Sequence, residues 1–263
     1  MTPVVDAPVL LRVEGPVATV VLNDPPLNLL GARAKADLTR VFEDIAGRTE
    51  VRVVVLRGAG SRAFSAGADI REFPERIRTG SARNVSRSGQ RMTAAIRGCG
   101  RPVIASIDGV AFGAGLEVAV AADFRLASHR AQFAFPEVTR GVFPGNGGSQ
   151  LLTRLIGPSR AKRLMMFGAP IDSGEAFRIG LVDQVVPDGR LDETVERWAR
   201  ELAERPAVAV GCVRDLVDRG GATSLEEGLA MEAELFARVF ATDDVREGVA
   251  AFFERRPPSF GHR

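Results

Sequence analysis

The sequence predicts an α/β protein that continues into a helical C-terminal region. Two β-branched runs, Val17–Leu22 and Val51–Leu56, end in turn residues and enclose a segment of helical period. After Gly145 the apolar spacing becomes mostly helical. At 263 residues the chain is long for one core and short for two full-sized domains. A core over 1–200 with an appended helical region over 201–263 is therefore expected.

Val17–Leu22 closes at Asn23-Asp24-Pro25-Pro26. Leu38, Val41, Phe42 and Ile45 then share one helical face, and Gly47 ends that helix. Val51–Leu56 runs into Arg57-Gly58-Ala59-Gly60. A third strand, Val103–Ile107, follows the break at Gly100-Arg101-Pro102, and a short fourth, Phe124–Ala127, follows an alanine-rich segment. Strands alternating with helices imply right-handed crossovers. Further on, Ser149–Ile156 lies between Gly148 and Gly157, and Pro158 suits the first turn of the next helix. Asp172 to Glu175 and Ser224 to Glu227 have capping-box spacing. Leu225, Leu229, Ala233, Phe236 and Phe240 form an apolar stripe. Thr242 restarts a helix carrying Val245, Val249, Phe252 and Phe253, which ends before Pro257-Pro258. Such apolar tail helices pack on their own domain or bury against another subunit. The sequence carries no internal repeat and no low-complexity linker.

With 45% hydrophobic and 26% charged residues, the composition is that of an ordinary globular chain. A formal net charge of +2 offers no electrostatic footprint for nucleic acid. Lys35 and Lys162 are the only lysines among 35 basic residues. The arginine excess suits phosphate recognition, and a genome-wide compositional bias explains it equally. Cys99, Cys212, His129 and His262 have no metal-site spacing, so no metal is expected. The N-terminus lacks the basic and apolar regions of a signal peptide. No stretch approaches the roughly 20 apolar residues of a membrane span. A cytoplasmic protein with no membrane partner is expected.

Three segments could carry chemistry. In Phe64-Ser-Ala-Gly-Ala-Asp69-Ile70, small residues leave backbone N–H groups uncovered for an oxyanion. The segment also reads as a strand-to-helix connection in which Asp69 caps the following helix. Gly109-Val-Ala-Phe-Gly113-Ala-Gly115-Leu-Glu117 likewise follows a strand and opens a helix. It is no dinucleotide fingerprint, because Val118 stands where the third small residue would be. Glu117 is the one charged residue from Val110 to Ala122, a costly position for an unpaired carboxylate. It lies one helical turn after Ala114 and can face the same spot as that residue's N–H. Alternatively it is a core acid satisfied by an arginine such as Arg125. In the third segment Glu137 follows Pro136 in an aromatic neighbourhood, ahead of the glycine-rich helix start Pro144-Gly145-Asn146-Gly147-Gly148. It could equally be an exposed turn residue.

Taken in order, these segments resemble the crotonase family, the enoyl-CoA hydratase/isomerase superfamily. The likeness runs from Leu22-Asn-Asp-Pro-Pro-Leu-Asn28 to Arg255-Arg-Pro-Pro-Ser-Phe260. It is most specific in Ala63–Ile70, Gly113–Glu117, Pro136-Glu137 and Pro144–Gly148. The resemblance implies a crotonase-like spiral of ββα units with a C-terminal helical trimerisation region, as a homotrimer or a dimer of trimers. It implies an acyl-CoA thioester substrate and no separate cofactor, coenzyme A being part of the substrate. By position, Ala68 and Ala114 match the N–H donors of the oxyanion hole, and Glu117 and Glu137 match the two catalytic carboxylates. Ala66, Asp69, Ile70, Arg71 and Gly145 match substrate-binding positions.

Hydratases are similar to this chain in keeping both carboxylates, whereas many isomerases keep only the one matching Glu137. Hydration of an enoyl-CoA in fatty acid metabolism is thus expected. The alternatives are an isomerase, a carnitinyl-CoA dehydratase-like lyase acting on a polar acyl group, or a non-catalytic CoA-binding oligomer. Arginine replaces the family's usual lysines at the CoA entrance. Asn146 and Ser149 stand where many hydratases have a small residue and threonine. The acyl pocket is expected from Phe73, Pro74 and residues 76–92, whose polar, arginine-rich sequence disfavours a long fatty-acyl chain.

Overall fold

The backbone of the computed structural model, which describes residues 7–262, passes three times through the same motif. It begins with an antiparallel hairpin of β1 (Val9–Glu14) and β2 (Val17–Leu22), followed by helix α1 (Ala32–Gly47). The first pass is β3 (Val53–Gly58), β4 (Ala63–Ser65), α2 (Phe73–Thr79) and α3 (Ala82–Gly98). The second is β5 (Val103–Ile107), β6 (Val110–Phe112) and α4 (Ala114–Val120). The third is β7 (Phe124–Ser128), β8 (Gln132–Ala134), a 3₁₀ turn at Pro136–Arg140 and α5 (Gly148–Ile156). Then come α6 (Pro158–Phe167), β9 (Ile171–Asp172), α7 (Ser173–Arg178), β10 (Gln184–Val186) and α8 (Leu191–Ala203).

Each pass gives its first strand to one sheet and its second strand to another. The main sheet has the order β1-β2-β3-β5-β7-β10, parallel from β2 onward. The smaller sheet is β4-β6-β8-β9, with β4, β6 and β8 parallel. The strands β4, β6 and β8 are three residues each, too short to show a period in the sequence. The threefold repetition is likewise geometric: the passes share a strand–strand step but continue into helices of different lengths.

The central strands β3 and β5 are buried along nearly their whole length, as expected for a sheet covered on both faces. Edge-side β2 alternates, burying Ala18, Val20 and Leu22. Pairing of β3 starts at Val53 opposite Val17, because the N–H groups of Arg52 and Val53 both turn onto the Pro16 carbonyl. On α1, Leu38, Phe42 and Ile45 are fully buried, each stabilising the fold by about 1.5–3 kcal/mol.

The chain divides into two compact units between Arg197 and Trp198. In the second unit, α9 (Ala207–Asp215) runs into a π-helical turn at Leu216–Gly220, followed by α10 (Leu225–Phe240) and α11 (Asp243–Glu254). Ser224 and Glu227 form the full reciprocal capping box. At Asp172 only half of the expected box forms: its side chain accepts from the Glu175 N–H, while the Glu175 carboxylate turns to Arg178. Phe236 and Phe240 stack with centroids 4.6 Å apart and stay 62% and 59% exposed; Phe252 and Phe253 are more exposed still.

One buried polar residue ties β2 to the smaller sheet. Asn28 has a left-handed backbone, φ 52°. Its Nδ2 donates to the carbonyls of Ala59 (3.0 Å) and Ala63 (2.8 Å), and its Oδ1 accepts from the Asp24 N–H. Ser65 Oγ donates to the Asn28 carbonyl at 2.7 Å and accepts from the Gly67 N–H. Asn28→Ala leaves two carbonyls without their donor and puts a Cβ-bearing residue with no stabilising side chain in the left-handed region. Urea unfolding is expected to show a loss of about 2–4 kcal/mol. Asn28→Gly should recover only the backbone part of that loss.

Candidate active site

The parallel strands β4, β6 and β8 lie side by side, so their carboxyl ends release three loops on one side of the smaller sheet. This is where open α/β sheets commonly place ligand sites. Ala68 comes shortly after β4, Ala114 shortly after β6 and Glu137 shortly after β8.

The first two loops touch backbone to backbone. Gly67 has φ 110°, and a methyl group built on it would lie 2.9 Å from the Phe112 carbonyl oxygen and 3.6 Å from the Ala114 nitrogen. The Leu30 N–H donates to the Gly67 carbonyl at 2.8 Å, and the Gly113 N–H donates to the Ala134 carbonyl at 2.9 Å. Held this way, neither the Ala68 nor the Ala114 N–H donates to a protein acceptor among the described residues. Ala114 is the first residue of α4, where an N–H has no intrahelical acceptor.

Glu117 sits one turn into α4 and is 1% exposed. Its Oε1 accepts from the backbone N–H groups of Asn146 (2.7 Å) and Gly148 (2.9 Å), and its Oε2 accepts from Asn146 Nδ2. The glycine-rich segment before α5 therefore serves to present donors to this carboxylate. Burial pushes the Glu117 carboxyl above its ordinary range, against the pull of these donors and of the Lys35 charge. The reading of Glu117 as a core acid satisfied by Arg125 is overturned. Arg125 is buried too, but it bonds Asp183 at 3.2 Å and the carbonyls of Leu181, Ala122 and Asp123.

Glu137 is not the exposed turn residue that its local sequence allows. It is half-buried in the first turn of Pro136–Arg140, and its Oε2 is buried without a hydrogen-bond partner. A methyl group on Gly113 would lie 3.0 Å from its Oε1, which places this carboxyl against the loop that carries Ala114. Burial raises it from 4.5 to about 7; the Glu117 charge adds to the rise, and its own N–H and Arg140 oppose it.

Of the remaining expected residues, four follow β4 and Gly145 precedes α5. The Ala66 N–H is committed to the Leu27 carbonyl at 2.8 Å. Asp69 accepts from the Arg71 N–H at 3.0 Å, capping the short 3₁₀ turn Ile70–Glu72, and grips the Arg71 guanidinium with both oxygens at 2.8 Å. These bonds hold its carboxyl below the usual range. Ile70 and Arg71 are exposed. Gly145 accepts from Ser86 Oγ of α3 at 2.7 Å, so α3 anchors the loop leading to Asn146. Sequence reasoning did not single out Asn28, Ser65 or Lys35 as supports for these loops. The available signal was at Lys35, which falls on the buried stripe of α1.

Among the described residues, no group of three or more His, Cys, Asp or Glu side chains could hold a metal ion, and no helix is long and apolar enough to cross a membrane. Comparison with known proteins gives a consistent result. Residues 12–263 match the model of the enoyl-CoA hydratase/isomerase family. The chain is 38% identical to the short-chain-enoyl-CoA hydratase of Clostridium acetobutylicum, over 94% of this chain and 95% of that protein. It is 34% identical to the crotonyl-CoA hydratase of Syntrophomonas wolfei, over 96% and 97%. It superposes on the crystal structure of an enoyl-CoA hydratase from Bacillus anthracis with a TM-score of 0.91 at 33% identity, covering 97% of this chain and 100% of that one. On this evidence, with its mixed α/β fold and helical C-terminal region, the chain belongs to the enoyl-CoA hydratase/isomerase family.

Proposed function

We infer that this chain is an enoyl-CoA hydratase, adding water across the 2,3 double bond of an enoyl-CoA thioester or removing it in reverse. The observation that carries this reading is the pair of carboxyls in unlike settings, Glu117 among three donors and Glu137 with a buried oxygen that has none, beside two uncommitted backbone N–H groups. The activities named for the bacterial relatives support it.

In this reading the thioester oxygen lies between the N–H groups of Ala68 and Ala114. As water adds to C3, the π electrons move to that oxygen as an enolate. Removing one such donor typically costs about 2.7–4 kcal/mol of transition-state stabilisation. Glu117 takes a proton from the attacking water, and Glu137 delivers one to C2. Ala66, Asp69, Ile70, Arg71 and Gly145 line the approach of the CoA chain. The reaction needs no cofactor beyond the CoA of the substrate. The reading extends to a cytoplasmic enzyme of fatty acid metabolism. Assembly into trimers or hexamers is supported by the exposed Phe236, Phe240, Phe252 and Phe253.

Crotonyl-CoA hydration, followed as loss of the enoyl absorbance, tests the activity. Glu117→Gln and Glu137→Gln should each lower kcat by about 100- to 10,000-fold with CoA binding retained. Full activity in Glu117→Gln would favour an isomerase instead.

Glu137 also sets an alkaline limit, since kcat/KM for hydration should fall as pH rises through about 7 and the acid loses its proton. The same group makes stability depend on pH. Between its ordinary 4.5 and about 7 the folded protein holds a proton that the unfolded chain has released, so its contribution to stability is lost as pH rises through that window. Thermal melts should therefore show Glu137→Gln gaining Tm over wild type above pH 7, and much less below 4.5.

Sedimentation velocity is expected to give a trimer or hexamer for the wild type. Phe236→Asp combined with Phe240→Asp should shift it to monomer. A monomeric wild type would remove the oligomer from the proposal.

A further inference from the structure

Lys35 breaks the pattern of the helix that carries it. Helix α1 buries Ala34, Leu38, Phe42 and Ile45, and Lys35 lies on that same face at 3% exposure. A buried ammonium is costly unless it is partnered. Among the described residues Lys35 forms no ion pair, and its Nζ donates one hydrogen bond, 2.8 Å to Asn146 Oδ1. Asn146 itself is buried, and its Nδ2 and backbone N–H are both donated to Glu117. Helix α3 is shaped around this amide. A side chain at Gly89 would collide with Asn146 Oδ1, and Thr93 Oγ1 donates to the Asn146 carbonyl at 2.8 Å.

An ammonium has donors only, so it accepts just one orientation of a neighbouring amide. With Lys35 on Oδ1, the Nδ2 end must face Glu117. Without Lys35 only the charged carboxylate holds the amide this way, and a protonated Glu117 can receive the flipped amide oxygen and be stabilised in its neutral form. We propose that Lys35 is a positioning residue for hydration: acting through Asn146, it fixes the amide that donates to Glu117 and keeps Glu117 the proton acceptor while Glu137 remains the donor. This rests on the reading of Glu117 as the base.

The charged groups around the relay are few. Glu117 of α4 is faced by Lys35 from α1 and interacts with Glu137 from the 3₁₀ turn. Lys35 is attracted by Glu117 and Glu72 and repelled by Arg76, on top of the burial that already disfavours its charge. Lys35→Met removes the positive charge and the lock on the amide together. Both changes make Glu117 easier to protonate, so the acid limb of the rate profile moves to higher pH.

The test measures crotonyl-CoA hydration across the pH range for wild type, Lys35→Met, Asn146→Ala and the double variant. Glu carboxyls labelled with ¹³C are titrated by NMR in the free enzymes, with Glu117→Gln assigning the signal. Lys35→Met is expected to lower kcat by about 10- to 100-fold, with KM changed by less than about threefold. Its acid limb and its Glu117 signal should both move to higher pH. The double variant should lose much less than the product of the two single losses, because Lys35 acts chiefly through the amide that Asn146→Ala removes.

The proposal is overturned if Lys35→Met keeps the wild-type profile and titration. It is equally overturned if activity falls while both stay in place, or if the two single losses multiply in the double variant. Should Lys35→Met not fold, the double variant, which leaves neither group orphaned, and Asn146→Ala carry the same pH displacement test. Full activity in Glu117→Gln would sink the base assignment separately, and the NMR titration would still decide whether Lys35 acts on that carboxyl.

Discussion

The site hangs from the contact between Gly67 and the Phe112–Ala114 backbone. Two N–H groups can converge on one oxygen only when nothing larger than a hydrogen separates the loops that carry them. The parallel register of β4, β6 and β8 brings the loops level, and each residue of slippage would displace a donor by about 3.3 Å. Asn28 and Ser65 guard against such slippage from the other side, holding β4 and Gly67 to the turn after β2. The placing of these two N–H groups is thus a property of sheet registry and buried hydrogen bonds more than of any reactive side chain.

Much of this was legible in the sequence, and the reason differs from residue to residue. Glu117 could be found because a carboxylate in an apolar run costs energy and demands a partner. Ala68 and Ala114 were visible through the small residues around them, and their assignment to one oxyanion hole came from the family resemblance. The partner of Arg125 was not legible: Asp183 is far away in sequence. The pairing of β10 with β7 sets Gln184 opposite Leu126 and so brings Asp183 beside Arg125. Lys35 was hidden for another reason. In a chain with 35 basic residues one more cation reads as surface, and only the burial of the α1 stripe marks it as out of place. The three short strands of the smaller sheet carry too few residues for any period to register.

The two glutamates show how one functional group is given two characters without any change in its covalent chemistry. Burial raises both. Against it, Glu117 has three N–H donors and a lysine behind one of them, an arrangement that fits an acceptor-only carboxylate. Glu137 has only its own N–H and Arg140 to set against burial, and its buried Oε2 meets no donor. Donors favour the charged form, so the neighbours bias a proton shared by the pair towards the carboxyl with fewer of them. This gives the glycine-rich segment at the start of α5 a second purpose: its N–H groups favour the charged form of Glu117 as well as starting a helix.

Helix α3 carries this asymmetry to the rim of the site. Its inner side holds the Asn146 loop through Ser86 and Thr93 and leaves room for the amide at Gly89, while Arg83, Arg87 and Arg91 remain exposed. The two sides are under different constraints. A substitution on the inner side moves the donors of Glu117. One on the exposed side leaves those donors in place. A single helix thus combines an inner side that holds the Asn146 loop by hydrogen bonds with an arginine-rich side turned to solvent.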